Sequence, residues 1–346
     1  MAQAIISRRG GGSGYATITF NGASALKKTE VVPLSYSRYS LAATTVGNYA
    51  LFGGGHNSGY YYTVDAYDTN LTRITRNLNV SRDRLAATTV GDYALFGGGL
   101  NNSTNLSTVD AYNTSLTRSN PTSLSVARCQ LAATTVGNYA LFGGGYDGSD
   151  LSAVDAYDTS LTRSTPTALS QSRHDLAATT VGNYALFGGG VLVGTGVFPV
   201  VDAYNTSLTR TTPTALIEAR YALAAATVGN YALFGGGLKA QGSSSVVDAY
   251  DTSLTRSTPT ALIETRYDLA AATVGNYALF GGGENSGGST LSTVDAYYVN
   301  NKVQVYPGTI YKLGSMSTES ISSTMQEIET TAPITGYIKI KDATIN

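Results

Sequence analysis

The chain holds a single cysteine, no tryptophan and two histidines among its 346 residues. One cysteine, Cys129, excludes an intramolecular disulfide and any zinc site built on several thiolates. With 22 Lys and Arg against 23 Asp and Glu, the formal net charge is −1, so no basic field invites nucleic acid or an anionic membrane surface. No apolar run approaches the roughly 20 residues that span a bilayer, and membrane insertion is not expected. Charged residues are 13% and hydrophobic ones 42%, a balance that excludes a disordered chain and fits one large globular unit. Ser7-Arg8-Arg9 has the outline of a twin-arginine export signal, but Gly10, Gly11 and Gly12 stand where an apolar stretch is required. Export by that route is therefore not expected.

What the chain has in abundance is repetition. The stretch L-A-A-T-T-V-G-N-Y-A-L-F-G-G-G from Leu41 recurs from Leu85, Leu131, Leu176, Leu223 and Leu269, at spacings of 44, 46, 45, 47 and 46 residues. A V-D-A-Y segment follows each copy, starting at Val64, Val109, Val154, Val201, Val247 and Val294. An arginine stands three residues ahead of each leading Leu: Arg38, Arg82, Arg128, Arg173, Arg220 and Arg266. A fixed period in this range marks a propeller or solenoid.

One repeat reads as four strands. L-A-A-T-T-V is a short β-branched run, and the Gly-Asn after it is a two-residue hairpin signal. Y-A-L-F-G-G-G is a second strand whose glycines permit positive φ and close backbone approach. V-D-A-Y is a third. The turn [DN]-T-[SN] then leads to a fourth opened by Leu71, Leu116, Leu161, Leu208 or Leu254. Apolar residues on both faces of the strands suit blades sandwiched between neighbours, and six repeats predict an all-β, six-bladed propeller with four antiparallel strands per blade.

These motifs resemble the kelch-repeat family: a Gly-Gly pair ending the second strand, a V-x-x-Y strand after a variable loop, and an Arg upstream of the first strand. The resemblance covers roughly residues 26–298. The kelch Trp after the third strand is missing here, and the turn there is shorter. The resemblance implies the fold far better than the function, since kelch propellers include enzymes, scaffolds and binding modules.

Residues 1–14 read as a flexible arm, similar in its opening to small structural proteins encoded by prophages. Tyr15–Phe20 is a strand candidate, expected to pair with the C-terminal residues. Leu26–Leu34 lines up with Leu161–Leu169, so the N-terminus supplies a fourth strand with no blade in front of it. The sixth repeat loses its own L-T-R pattern after Tyr297. Residues 26–32 are thus expected to close the ring as the outer strand of blade six, removing two sheet edges. Residues 15–298 then form the propeller and 299–346 a small β-rich appendage, either an attachment module or a cap. In it, residues 302–306 and 335–341 alternate like strands, and 315–331 reads as loop or a short helix.

Comparing the repeats shows where they differ. Loops joining strands two and three lie on the same face as the linkers between blades; the V-G-N-Y hairpin and the [DN]-T-S turn lie on the other, which is almost invariant. The near-face loops read HNSGYYYT, LNNSTNLST, YDGSDLSA, VLVGTGVFPV, LKAQGSSSV and ENSGGSTLST. The pair after each Arg varies too: Tyr39-Ser40, Asp83-Arg84, Cys129-Gln130, His174-Asp175, Tyr221-Ala222 and Tyr267-Asp268. Loops tolerate change, which accounts for the loop variation; a diversified binding face rich in Tyr and short polar residues accounts for both sets. Candidate ligand-binding residues are Tyr39, Tyr60, Tyr61, Tyr62, Asp83, Arg84, Tyr146, Asp147, His174, Asp175, Tyr221, Tyr267 and Asp268.

The six arginines are expected to bond linker carbonyls or the V-D-A-Y aspartates, since a buried charge needs a partner. The tyrosines of N-Y-A-L-F and V-D-A-Y are expected to pack. A kelch-type copper oxidase needs two His ligands near Tyr and Cys; His56 and His174 fall on opposite sides of a six-fold ring. Sialidase Asp-boxes, which end in Trp, are absent, and G-G-G ends a strand instead of opening a helix on a phosphate. No catalytic, metal or cofactor site is expected. The expectation is a non-catalytic binding module on a bacteriophage virion, its tail or a bacterial surface. It would recognise a cell-surface glycan or protein, with virion or tail partners held through the arm or appendage. The alternative is a cytoplasmic kelch-type scaffold.

Overall fold

The computed structural model describes residues 32–299 throughout and, outside them, only the backbone of seven strands between Gln3 and Ile345. Two compact units emerge: residues 31–297, and residues 1–30 with 298–346.

The larger unit is a six-bladed all-β propeller. In blade three, Ala132–Val136, Tyr139–Gly143, Val154–Asp158 and Arg163–Ser164 form one antiparallel sheet in that order. The first hairpin pairs Val136 with Tyr139 and turns at Gly137, φ 52°. A residue with a Cβ is disfavoured there. The fourth strand starts later than expected, at Arg163. Leu161 lies before it in left-handed backbone (φ 62°), because the Asp158 carboxylate takes the N–H groups of Ser160 and Thr162 and holds a tight turn. Leu71, Leu116, Leu208 and Leu254 repeat that geometry.

The core lies between blades. Ala132, Val136, Leu141 and Val154 of blade three meet Leu169, Leu176, Phe187 and Tyr204, which belong to blade four and the linker into it. The same positions meet at the preceding interfaces and the following one. Phe187 packs edge-on against Tyr204, centroids 6.0 Å apart, and its ring covers Gly143, where an added Cβ would fall 2.8 Å from Phe187 Cε1. The first glycine of G-G-G is thus a packing requirement, while Gly144 and Gly145 have φ of 69° and 111°.

The arginines and V-D-A-Y aspartates pair as expected. Arg173 is buried and donates to Asp202 Oδ2 at 2.8 Å and to the carbonyls of Phe187 and Gln171. Asp202 also accepts the Ser170 N–H, and the Tyr204 hydroxyl donates to Thr167 O at 2.7 Å. Each V-D-A-Y strand thereby ties its blade to the exit of the previous one. Of the N-Y-A-L-F tyrosines, Tyr49, Tyr93, Tyr139 and Tyr184 sit half-buried against the core, whereas Tyr231 and Tyr277, expected to pack as well, are exposed.

The interface seen five times has no counterpart between blades six and one among the described residues. Val274 and Val294 are 49% and 63% exposed where Val136 and Val154 are buried, and the nearest side chain to Gly281 is Val294 instead of Phe52. Blade six shows three strands among the described residues: Ala270–Val274, Tyr277–Gly281 and Val294–Tyr298. Of the expected closing strand, residues 26–31 lie outside the described ones. Val32, the last residue of that segment, accepts the Tyr67 hydroxyl of blade one at 2.8 Å, as Thr167 O accepts that of Tyr204.

In the smaller unit, Gln3–Ser7 pairs antiparallel with Thr17–Asn21. The expected flexible arm therefore holds a strand, and the Tyr15–Phe20 candidate pairs with it instead of with the C-terminal residues. The two strands are close in sequence, and pairing segments so near each other costs little chain entropy. Asn301–Val305 pairs with Gln326–Thr330, and Thr318–Ser322 with both Thr309–Tyr311 and Thr344–Ile345. The 315–331 stretch, expected as loop or helix, contributes two of these strands, in keeping with its Thr and Ile content. The candidate at 335–341 lies outside the described residues.

Candidate functional site

Behind each buried Arg the chain leaves the core and lays two residues along the mouth of the propeller. The first makes an antiparallel bridge to the opening residue of the near-face loop: Tyr39 with His56, Asp83 with Leu100, Cys129 with Tyr146, His174 with Val191, Tyr221 with Leu238, Tyr267 with Glu284. The two variable sets are one surface, joined by backbone hydrogen bonds.

The second residue of each pair is left-handed: Ser40, Arg84, Gln130, Asp175, Ala222 and Asp268 have φ between 50° and 53°. From blade two to blade six its N–H donates to the matching carbonyl of the blade before, as in Arg84 to Ser40 (3.0 Å), Gln130 to Arg84 (2.9 Å) and Asp268 to Ala222 (2.9 Å). Left-handed backbone costs an L-residue about 1–2 kcal/mol that glycine avoids. The backbone alone favours six glycines here; the chain places six side chains instead.

A cavity of ≈ 530 Å³ opens at this mouth, lined by Tyr39, Ser40, Asp175, Leu176, Ala222, Leu223, Asp268 and Leu269. Its leucines are buried core residues and its polar groups come from the variable pairs. Gln130 Nε2 donates to both Asp175 oxygens at 3.0 Å, and His174 Nε2 lies 3.6 Å from Asp175 Oδ2. Burial pushes the Asp175 carboxyl above the usual carboxylate range. Asp268 is raised as well, by desolvation and then by the charges of Asp175 and Glu284.

The remaining candidates distribute around the rim. His174 Nδ1 bonds Asp150 Oδ1, and its ring lies 5.4 Å from that of Tyr146. Asp147 accepts the Ser149 N–H in an exposed turn, a local role. Asp83 is nearly buried, with Arg84 Nε 3.8 Å away, so it supports the rim and Arg84 carries the exposed charge. Tyr221 and Tyr267 edge the loops of blades five and six. Among the described residues no group of three His, Cys, Asp or Glu side chains is placed to hold a metal ion.

Blade one differs from the rest. Tyr36 stacks on Tyr61 with centroids 5.0 Å apart and planes 22° from parallel. Tyr39 Oη is 2.8 Å from His56 Nδ1, and His56 packs against Tyr60 at 4.8 Å. Tyr36, Tyr39 and Tyr62 are 52%, 58% and 53% exposed. Sequence reasoning found Tyr39, Tyr60, Tyr61 and Tyr62 but missed Tyr36 and His56. A sequence signal for Tyr36 exists: two residues ahead of the linker Arg, the other repeats carry Val80, Val126, Gln171, Glu218 and Glu264.

No family model and no curated protein matches this chain. Among solved structures it is similar to one described as "Structure of YjhT", at 13% identity and a TM-score of 0.61, over 78% of this chain and 97% of that one. At that identity the likeness speaks for the propeller fold alone, a fold consistent with a binding module.

Proposed function

We propose that this chain is a non-catalytic binding module whose variable rim recognises a glycan or protein on a cell surface. The observation that carries this reading is the rim itself: linker and loop residues that differ from blade to blade are bridged by their backbones into one surface, while the opposite face repeats nearly unchanged. The Tyr-rich, short-polar composition of the loops suits recognition, since tyrosine offers contact area at low entropic cost. The proposed setting is a virion, phage tail or bacterial surface, supported by the likeness of residues 1–14 to prophage structural proteins.

The test is adhesion of fluorescently labelled protein to a panel of bacterial cells, with a thermal melt for each variant. Tyr221→Ala and Tyr267→Ala should weaken adhesion while leaving melting nearly unchanged, because both side chains are partly exposed at the rim and surface substitutions usually stay within about 0.5 kcal/mol. Asn48→Ala and Asn183→Ala, on the opposite face, should leave adhesion intact. Adhesion that follows the Asn variants and ignores the rim would overturn the proposal.

A further inference from the structure

The six blades supply an internal control for every rim residue, because each loop is built on the same backbone bonds. Tyr61 N–H donates to Gly55 O as Leu106 does to Gly99, Leu151 to Gly145, Phe198 to Gly190, Ser244 to Gly237 and Leu291 to Gly283. Tyr62 O accepts the linker N–H of Leu78 as Ser107, Ser152, Pro199 and Ser245 accept theirs. The position of Tyr36 is filled elsewhere by Val, Gln or Glu. Five blades thus build this loop and linker without the aromatic cluster, so the fold does not require it.

We infer that the rim's ligand is a saccharide, and that its ring stacks on the blade-one platform of Tyr36, Tyr39, His56, Tyr60, Tyr61 and Tyr62; this rests on the binding-face reading above. The platform is aromatic and not aliphatic. Its near-parallel Tyr36–Tyr61 pair presents flat π-surface, which favours the slightly positive C–H face of a sugar ring, while phenol hydroxyls at its edges bond the ring's hydroxyls. Tyr39 belongs both to the platform and to the ≈ 530 Å³ cavity, where Asp175 and Asp268 offer carboxylate acceptors to hydroxyl pairs. A sugar on the platform can therefore extend a second residue toward the mouth. A protein partner fits less well, since a specific protein interface covers about 800 Å² and 20–30 residues on each side, and the platform is six residues of one blade.

The test uses substitutions that other blades already carry, Tyr36→Val, Tyr61→Leu and Tyr62→Ser, combined in the full-length chain. Saturation-transfer NMR with methyl glycosides of glucose, galactose, N-acetylglucosamine and rhamnose, together with an oligosaccharide array, reads binding. Melting and near-UV circular dichroism read folding. Expected is a bound saccharide showing transfer to its ring C–H protons, weakened at least tenfold by the triple variant at unchanged melting temperature. Saccharide binding that survives the triple variant but is lost with Asp175→Asn or Tyr221→Ala would overturn the platform and leave the rim reading standing. Rim-dependent adhesion to cells that persists after periodate oxidation of their glycans would overturn the saccharide and again leave the rim. Absence of both saccharide binding and adhesion would overturn both.

Discussion

The glycine that ends each second strand offers a comparison within one molecule. Gly143 and Gly281 occupy the same place in blades three and six, and neither has positive φ. At Gly143 an added Cβ would lie 2.8, 3.1 and 3.2 Å from three carbons of the Phe187 ring, which Leu169, Leu176 and Tyr204 hold in the core. Overpacking of that kind costs about 1–3 kcal/mol, while replacing a strand glycine by alanine returns roughly 0.5–1 kcal/mol of backbone entropy. Gly143→Ala should therefore lose on the order of 1–2 kcal/mol. At Gly281 the nearest atom is Val294 Cγ2 at 3.3 Å, on a valine that is itself exposed, so Gly281→Ala keeps the entropic gain and should be neutral to mildly stabilising. Urea unfolding followed by far-UV circular dichroism reads both, with the slope checked to be unchanged. An equal loss at the two positions would refute the reasoning: it would mean that Phe52 covers Gly281 in solution as Phe187 covers Gly143.

Arg128 is buried and holds Asp155 Oδ2 at 2.8 Å together with two carbonyls, so Arg128→Met should cost about 3–5 kcal/mol; a loss under 1 kcal/mol in urea would show the pair to be dispensable. Tyr67→Phe and Tyr204→Phe should each lose about 0.5–1.5 kcal/mol, for the bonds to Val32 O and Thr167 O. A silent Tyr67→Phe beside a costly Tyr204→Phe, by thermal melts, would show the Val32 contact to be wrong. Burial raises the Asp175 carboxyl above its unfolded value of 3.8, so its ionisation weakens the fold as pH rises through the folded pKa. Asp175→Asn should then be more stable than the parent at pH 7, with the gap closing as pH falls toward the unfolded pKa, where both states bind the proton. A gap that widens on acidification would reverse the assignment.

Much of the candidate site was open to reading, because variation stands out against near-identical repeats. Tyr61 and Tyr62 were visible as departures from mostly Leu and mostly Ser at the equivalent positions, Tyr60 as the aromatic residue beside them, and Tyr39 as one of a position that changes from blade to blade. Asp83 was misplaced as a surface contact: its alternation with Arg84 in the sequence does not reveal which of the two the left-handed backbone turns outward. Tyr36 was missed because it precedes the buried Arg38 in a linker that reads as structural.

The sequence by itself determined the blade count and the first three strands of each blade, and it offered the V-D-A-Y aspartates as one of two kinds of partner for the linker arginines. All of these rest on spacings within one repeat or between adjacent repeats, and six copies in register make such local signals unambiguous. Tertiary structure alone decided which side chains converge. Tyr39, Asp175, Ala222 and Asp268 come from blades one, four, five and six, and only the ring's curvature brings them around one cavity. The Tyr36–Tyr61 stack likewise depends on a linker and a loop 25 residues apart being held side by side by the bridge from Tyr39 to His56. Periodicity carries the shape of each blade; the angle between blades, set by how Phe, Leu and Tyr pack over Gly, is a property of the packed interface, and it alone places the rim residues together.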